Sequence, residues 1–261
     1  MPHFNDPGWN TERAETTHSI SVIVPALNEE SVLASTLECV RACHPLEVIL
    51  VDGGSIDGTQ RVAGGQGAKI VLSPPGRAKQ MNCGAAAASG NVLLFLHADT
   101  LLPPLFDRLV CEALACPEVV AGAFELRIDA PASSLRWIER LANWRSRRLQ
   151  MPYGDQALFV RTEYFHAVGG FPELPIMEDF ELMRRLRRCG RIKIVREPVL
   201  TSGRRWMEEG ILRTTLANQL AILAYLVGTE PARISSLYHR QRNSGSVNGR
   251  STKTEVETRS H

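Results

Sequence analysis

The chain has 261 residues, 44% hydrophobic and 22% charged, with a formal net charge of +2. Length and hydrophobic content suit one sizeable α/β domain with a real core. The near-balanced charge argues against a bulk electrostatic partner such as nucleic acid, and no apolar run approaches the ~18 residues of a membrane span.

Residues 1–17 are polar with Pro and Gly, and a flexible tail is expected there. The stretch 1–10, MPHFNDPGWN, lacks the basic and then apolar pattern of a signal peptide. The first structured segment, ISVIV at 20–24, reads as a strand closed by Pro25. A helix over 31–43 follows, with Leu33, Leu37 and Val40 at helical spacing. VILV at 48–51 is a second strand, ended by Asp52-Gly53-Gly54, and 69–72 is a third. An Ala-rich helix over 78–89 leads into NVLLFLHADT, a fourth strand that stops on His97-Ala98-Asp99.

Apolar runs without alternation, separated by helices, predict parallel strands covered on both faces, hence a right-handed, doubly wound open sheet. Such sheets bind ligands outside the carboxyl ends of their strands. Asn28-Glu29, Asp52 and His97/Asp99 are therefore expected to converge on one edge.

The chemistry expected there is that of carboxylates and cations. Asp52 ends a buried strand and suits hydrogen bonding to a base or ribose, while Asp57 reads as a cap for the next helix. Asn28 is read either as a ligand contact or as a helix cap. On an extended chain His97 and Asp99 face the same side, and such a pair suits Mn²⁺ or Mg²⁺; the plainer reading is Asp99 as a cap. Downstream, a helix over 178–189 is predicted, closed by Gly190. At 100° per residue Asp179 shares the apolar face of Leu182, Met183 and Leu186, as a cap or as a general base in a cleft. Glu178 points elsewhere, and Glu181 falls on the opposite side with Arg184. Arg204-Arg205 suit phosphate oxygens, a solvated charge pair being the plainer reading. Arg77 and Lys79 open a helix on the same edge, where an anion is favoured.

Further along, residues 134–148 place Trp137, Leu141 and Trp144 on one helical face amid arginines. An acceptor-site or membrane-surface helix is one reading; a helix packed on the domain with its charges solvated is the plainer one. Residues 209–228 read as a docked apolar helix, with a dimer or membrane-contact face as the bolder option, and 240–261 as a disordered polar tail. Six cysteines without a CxxC pair read as reduced thiols, so a cytoplasmic setting is expected, with a peripheral place at the inner membrane face as the bolder option.

PALNEE, VDGGSIDGT, the Ala/Gly helix before LLFLHADT, and GGFPELPIMEDFELMRRLRR occur in that order. The ordered set resembles the family 2 glycosyltransferases of GT-A fold, over about residues 19–238. Within that family GRAKQMN, HADT, YGDQALFV, PELPIMED and TSGRRW together resemble small members associated with arsenosugar biosynthesis. The resemblance implies a Rossmann-like, mostly parallel open sheet flanked by helices. It further implies one domain over 18–239, with a nucleotide-binding half at 18–100 and an acceptor-binding half with a C-terminal helix at 101–239. A nucleotide-diphosphate sugar donor, an acceptor hydroxyl and a Mn²⁺ or Mg²⁺ cofactor follow from it. The donor positions so implied are Pro25, Asn28, Glu29, Asp52, Gly53, Arg77, Gln80, Asp99, Asp155, Arg204, Arg205 and Trp206. Asp99, with His97 as a weaker partner, matches the metal motif, and the Glu178-Asp179 pair supplies the catalytic base, Asp179. Gly53 and His97 each stand where the family commonly carries Asp. A single base predicts single displacement with inversion. A sugar-phosphate nucleotidyltransferase would want a basic, glycine-rich loop after the first strand, where PALNEE supplies acids. A non-catalytic nucleotide-sugar-binding protein is the third reading.

Overall fold

The computed structural model describes residues 18–131, 133–204, 207, 220–225 and 227–236. The stretches expected as tails, 1–17 and 240–261, and most of the apolar stretch 209–228 lie outside the described residues.

One eight-stranded sheet runs through the chain, in the order β3-β2-β1-β4-β7-β6-β8-β5. The strands are β1 (Ile20–Ala26), β2 (Glu47–Asp52), β3 (Lys69–Leu72), β4 (Val92–Phe95), β5 (Thr100–Leu101), β6 (Val119–Asp129), β7 (Leu158–Arg161) and β8 (Arg191–Ser202). The helices are α1 (Glu30–Arg41), α2 (Thr59–Gly65), α3 (Arg77–Ala87), α4 (Phe106–Leu114), α5 (Ser133–Leu149), α6 (Thr162–Ala167) and α7 (Glu178–Leu186). The first four strands pair in parallel, as expected, and β6 pairs in parallel with β8. The pairings β4·β7, β6·β7 and β5·β8 are antiparallel, so the sheet is mixed beyond β4.

Strand alternation divides the core in two. Val22, Val24, Leu50, Leu94 and Leu96 pack beneath α1, α2, α4 and α5. Ile23, Ile49, Val51, Leu93 and Phe95 pack beneath α3, α6 and α7. Both faces are covered, which is why these strands read as unbroken apolar runs. α3 is rich in Ala and Gly because it lies close on the sheet: a Cβ at Gly84 would collide with Ile23 and Val51.

Pro25 does not close β1; it lies inside it. Ile23 accepts from Leu96 on the β4 side, and Pro25 has the same orientation. The β1·β4 register ends at Ile23–Phe95, so the missing proline N–H falls where no partner strand runs.

The chain leaves β1 toward β2 and β3, then returns to place β4 on the other side of β1. A crevice must open at that reversal, beyond the carboxyl ends of β1 and β4.

Candidate active site

A cavity of about 420 Å³ occupies that crevice. Its wall takes Pro25 and Glu29 from the end of β1, Arg77 and Gln80 from the start of α3, and His97 and Asp99 from the segment after β4. Tyr153, Gly154 and Asp155 enter from a 3-10 turn (Gly154–Gln156), and Glu178 and Asp179 from the start of α7. Thr201 and Ser202 close it from β8.

His97 and Asp99 reach this wall from a turn rather than from an extended chain: Thr100 N–H donates to the His97 carbonyl at 3.2 Å. The turn is needed because β5 must cross to pair with β8 at the far edge of the sheet. His97 Nε2 is closed off from water and has no hydrogen-bond partner among the described residues. Burial, with help from the Arg77 charge, holds the imidazole pKa at about 3, so the ring is neutral at physiological pH.

Asp179 is fixed at both oxygens. Gly154 N–H donates to Oδ2 at 2.7 Å, and Phe180 N–H donates to Oδ1 at 2.7 Å. A Cβ at Gly154 would lie 3.3 Å from both Asp179 Oδ2 and His97 Nε2, so glycine permits the three groups to meet. Met177, which caps α7, has φ 71°, a conformation that costs a bulky side chain on the order of 1–2 kcal/mol. That strain sits at the residue that aims the two acids.

Glu178 does not point away from the site. It is buried in the wall, 3.5 Å from Arg77 Nη1, with its pKa raised by burial and by Asp179 and only partly offset by Arg77. Nor is Glu181 solvated. It is buried, bonded to Arg184 and Arg185, and accepts from the Tyr225 hydroxyl at 3.2 Å, because residues 220–225 cover that side of α7.

Several cavity carboxyls have raised pKa values. Burial pushes Asp99 and Glu29 above their usual range against the opposing charge of Arg204, which lies 3.9 Å from Asp99 and 3.4 Å from Glu29. Burial pushes Asp155 up to about 6; Arg145 opposes this and Asp179 adds to it. Arg145 comes from α5, stacks 3.4 Å from the Tyr153 ring centre, and donates to the Met151 carbonyl and Gln156. Among the described residues, no group of three or more His, Cys, Asp or Glu side chains forms a ready-made metal cage.

Four described residues expected at the site stand outside this wall: Asp52, Asn28, Gly53 and Arg204, which reaches Glu29 and Asp99 from beyond it. Asp52 is 0% exposed, and its carboxylate accepts from Gly54 N–H, from Ser55 N–H and hydroxyl, and from Gln60 Nε2 at 2.7 Å. Asn28 is no helix cap: with φ 57° its side-chain Oδ1 accepts from Ile56 N–H and its own N–H donates to Ser55 Oγ. Gly53 abuts the Gln80 amide, whose Nε2 donates to the Ala26 and Val51 carbonyls and so ties the ends of β1 and β2. Asp57 does cap, for two helices at once, through Thr59 N–H and Glu30 N–H. Arg205 and Trp206 lie outside the described residues. Tyr153 and Gly154 escaped the sequence reading, although they flank Asp155 in YGDQ and offered that motif as the signal.

The family model described as Glycosyl transferase family 2 matches residues 21–169. A glucosyl-3-phosphoglycerate synthase of Mycolicibacterium smegmatis is 32% identical over 136 residues, 44% of either chain. The match thus spans less than half the length of that relative. Among solved structures, a glucosyl-3-phosphoglycerate synthase from Mycobacterium tuberculosis, in complex with Mn²⁺, UDP and glucosyl-3-phosphoglycerate, aligns with TM-score 0.55. It is 24% identical over 75% of this chain and 77% of that one. A mannosyltransferase from Pyrobaculum calidifontis, in complex with GDP-Man and Mn²⁺, aligns with TM-score 0.62 and 20% identity over 86% of this chain and 69% of that one. These two likenesses establish the shared fold.

Proposed function

The chain belongs to glycosyl transferase family 2, and from that premise we propose that it moves a sugar from a nucleotide-diphosphate sugar to an acceptor hydroxyl, with inversion at the anomeric carbon. One observation carries the reading. Acids from four separate segments, Glu29, Asp99, Asp155 and the Glu178-Asp179 pair, share one cavity with Arg77 at the reversal of strand order.

The wall fits a divalent cation. A neutral imidazole nitrogen without a partner among the described residues, next to the Asp99 carboxyl whose pKa burial raises, is a donor set short of positive charge. Asp99 and His97 would hold Mn²⁺ or Mg²⁺ together with the donor's diphosphate oxygens. When bound, the cation supplies charge against the leaving diphosphate. The relatives solved with Mn²⁺ and UDP or GDP-Man support this class of donor.

The chain's own residues supply the rest. Arg77 and Arg204 offer paired donors to phosphate oxygens; an opposite charge at 4 Å is worth about 4 kcal/mol at an effective dielectric of 20. Arg204 rests on Glu29 and Asp99, and exchanges these partners for the diphosphate as the donor enters. Asp179, held by Gly154 and Phe180, keeps lone pairs free for the acceptor hydroxyl proton. Glu178 orients Arg77. Asp179 acting as a single base supports single displacement with inversion.

The test is thermal stabilisation across a panel of nucleotide-diphosphate sugars, with and without Mn²⁺, followed by release of the nucleoside diphosphate. A metal-dependent rise in melting temperature of several degrees for one donor is expected, ~3 kcal/mol at a hundredfold excess over Kd. No stabilisation by any donor, with or without metal, would remove the reading.

A further inference from the structure

α5 is turned inside out relative to an ordinary amphipathic helix. Trp137, Leu141 and Trp144, at i, i+4 and i+7, should form its packed face. They are instead 71%, 57% and 52% exposed. The inward face carries Leu135, Asn143 and Ser146, with Ile138 and Ala142 against the core.

The cause lies in β6. It pairs with β7 only at Ala121 and Gly122, and its later residues have β8 on one side alone. The other edge exposes backbone groups that need partners. α5 provides them from polar side chains. Asn143 accepts from Leu126 N–H at 2.7 Å and donates to the Leu126 carbonyl at 3.0 Å. Glu139 accepts from Ile128 N–H, and Arg136 donates to the Ile128 carbonyl at 2.6 Å. With its polar residues committed inward, the helix presents its tryptophans outward.

That outer face is also one-signed. Arg140 lies 5.2 Å from the Trp137 ring centre, and Arg148 shares the stripe at 100° per residue. Neither is in an ion pair with a carboxylate among the described residues. Arg147 flanks the stripe, paired with Glu125. Glu139, the helix's one acid, is held inward by Arg136. Exposed indoles beside unpaired guanidinium groups match the headgroup layer of an anionic bilayer: the rings sit at the interface and the cations meet phosphates. A second copy of the chain is disfavoured, because a symmetric contact would oppose the same arginines.

We propose that α5 seats this protein on an anionic membrane surface through Trp137, Leu141 and Trp144, with Arg140 and Arg148 on lipid phosphates. The seat adjoins the active cavity. Arg145, next to Trp144 in sequence, turns inward onto Tyr153, which lines that cavity.

The test is co-flotation of the full chain with vesicles of phosphatidylglycerol and phosphatidylcholine in equal parts, against pure phosphatidylcholine. Binding to the anionic vesicles at low salt, with release at high salt, is expected. Arg140→Glu/Arg148→Glu should lower the partition coefficient by roughly one order of magnitude or more, and Trp137→Ser/Trp144→Ser should abolish flotation. The melting temperature of each double variant, unchanged if the side chains are as exposed as they stand, verifies folding. No flotation of the parent protein, or equal flotation of the tryptophan variant, overturns the proposal. So does a dimer in sedimentation that the tryptophan variant dissolves, since the face would then belong to a second copy.

Discussion

Around the ends of β1 and β2, Asn28, Asp52, Ser55, Asp57 and Gln60 bond to one another and to the backbone of two loops. Around the end of β4 and the start of α7, His97 Nε2 has no partner among the described residues, and Asp99, Asp155 and Glu178 have raised pKa values. Both sets crown the same sheet edge and both contain two aspartates. The first is satisfied from within and stiffens the crevice; in the second, His97 Nε2 has no partner among the described residues and burial raises the carboxyl pKa values. Satisfaction, more than identity or position, is the ground on which we propose structural roles for the first set and ligand roles for the second.

The contrast can be broken by substitution, starting on the open side. Asp179→Asn should lower the transfer rate by ~10²–10⁴ and leave donor-induced stabilisation intact, a split read by combining kinetics with thermal shift. Asp99→Ala should remove the metal-dependent part of that stabilisation; an unchanged response to Mn²⁺ would place the cation elsewhere. On the closed side, Asp52→Ala strands Ser55, Gly54 and Gln60 donors, and chemical denaturation should register a loss of about 2–4 kcal/mol. If Asp52→Ala kept its stability and lost only donor binding, the division drawn here would fail.

The smallest expected effect is a pH effect. Asp155 has a pKa near 6, above its unfolded value, so its contribution to stability is present when protonated and lost as pH rises through about 6. Asp155→Asn should therefore melt above the parent at pH 8, by about 1–2 kcal/mol, and level with it near pH 4. Mn²⁺ should narrow the gap if the ion offsets the carboxylate charge.

Much of the first half was legible because local pattern and tertiary role coincide there. Buried parallel strands read as ISVIV, VILV and VLLFL, α1 shows its apolar face as Leu33, Leu37 and Val40, and the carboxyl-edge rule pointed to Asn28, Glu29, Asp52, His97 and Asp99, of which Glu29, His97 and Asp99 line the cavity. The second half was less so. β6 and β8 run past β7, and α5 covers the open edge of β6 with Asn143 and Glu139, a need that no helical periodicity records. The same absence of a local signal explains Glu181, whose burial depends on Tyr225 more than 40 positions later. The subfamily resemblance rests partly on TSGRRW, which runs into residues 205–206 outside the described structure.

By itself, then, the amino-acid sequence determined the strand and helix content of the first half, the family, and the kinds of side chain available at the ligand edge, all properties of near neighbours along the chain. Tertiary structure alone decided which acids are satisfied and which are open, that Gly154 brings His97 and Asp179 together, and that α5 turns its tryptophans outward. The reason is common to all three: hydrogen-bond satisfaction and burial are set by residues distant in sequence, which only the folded chain brings within reach.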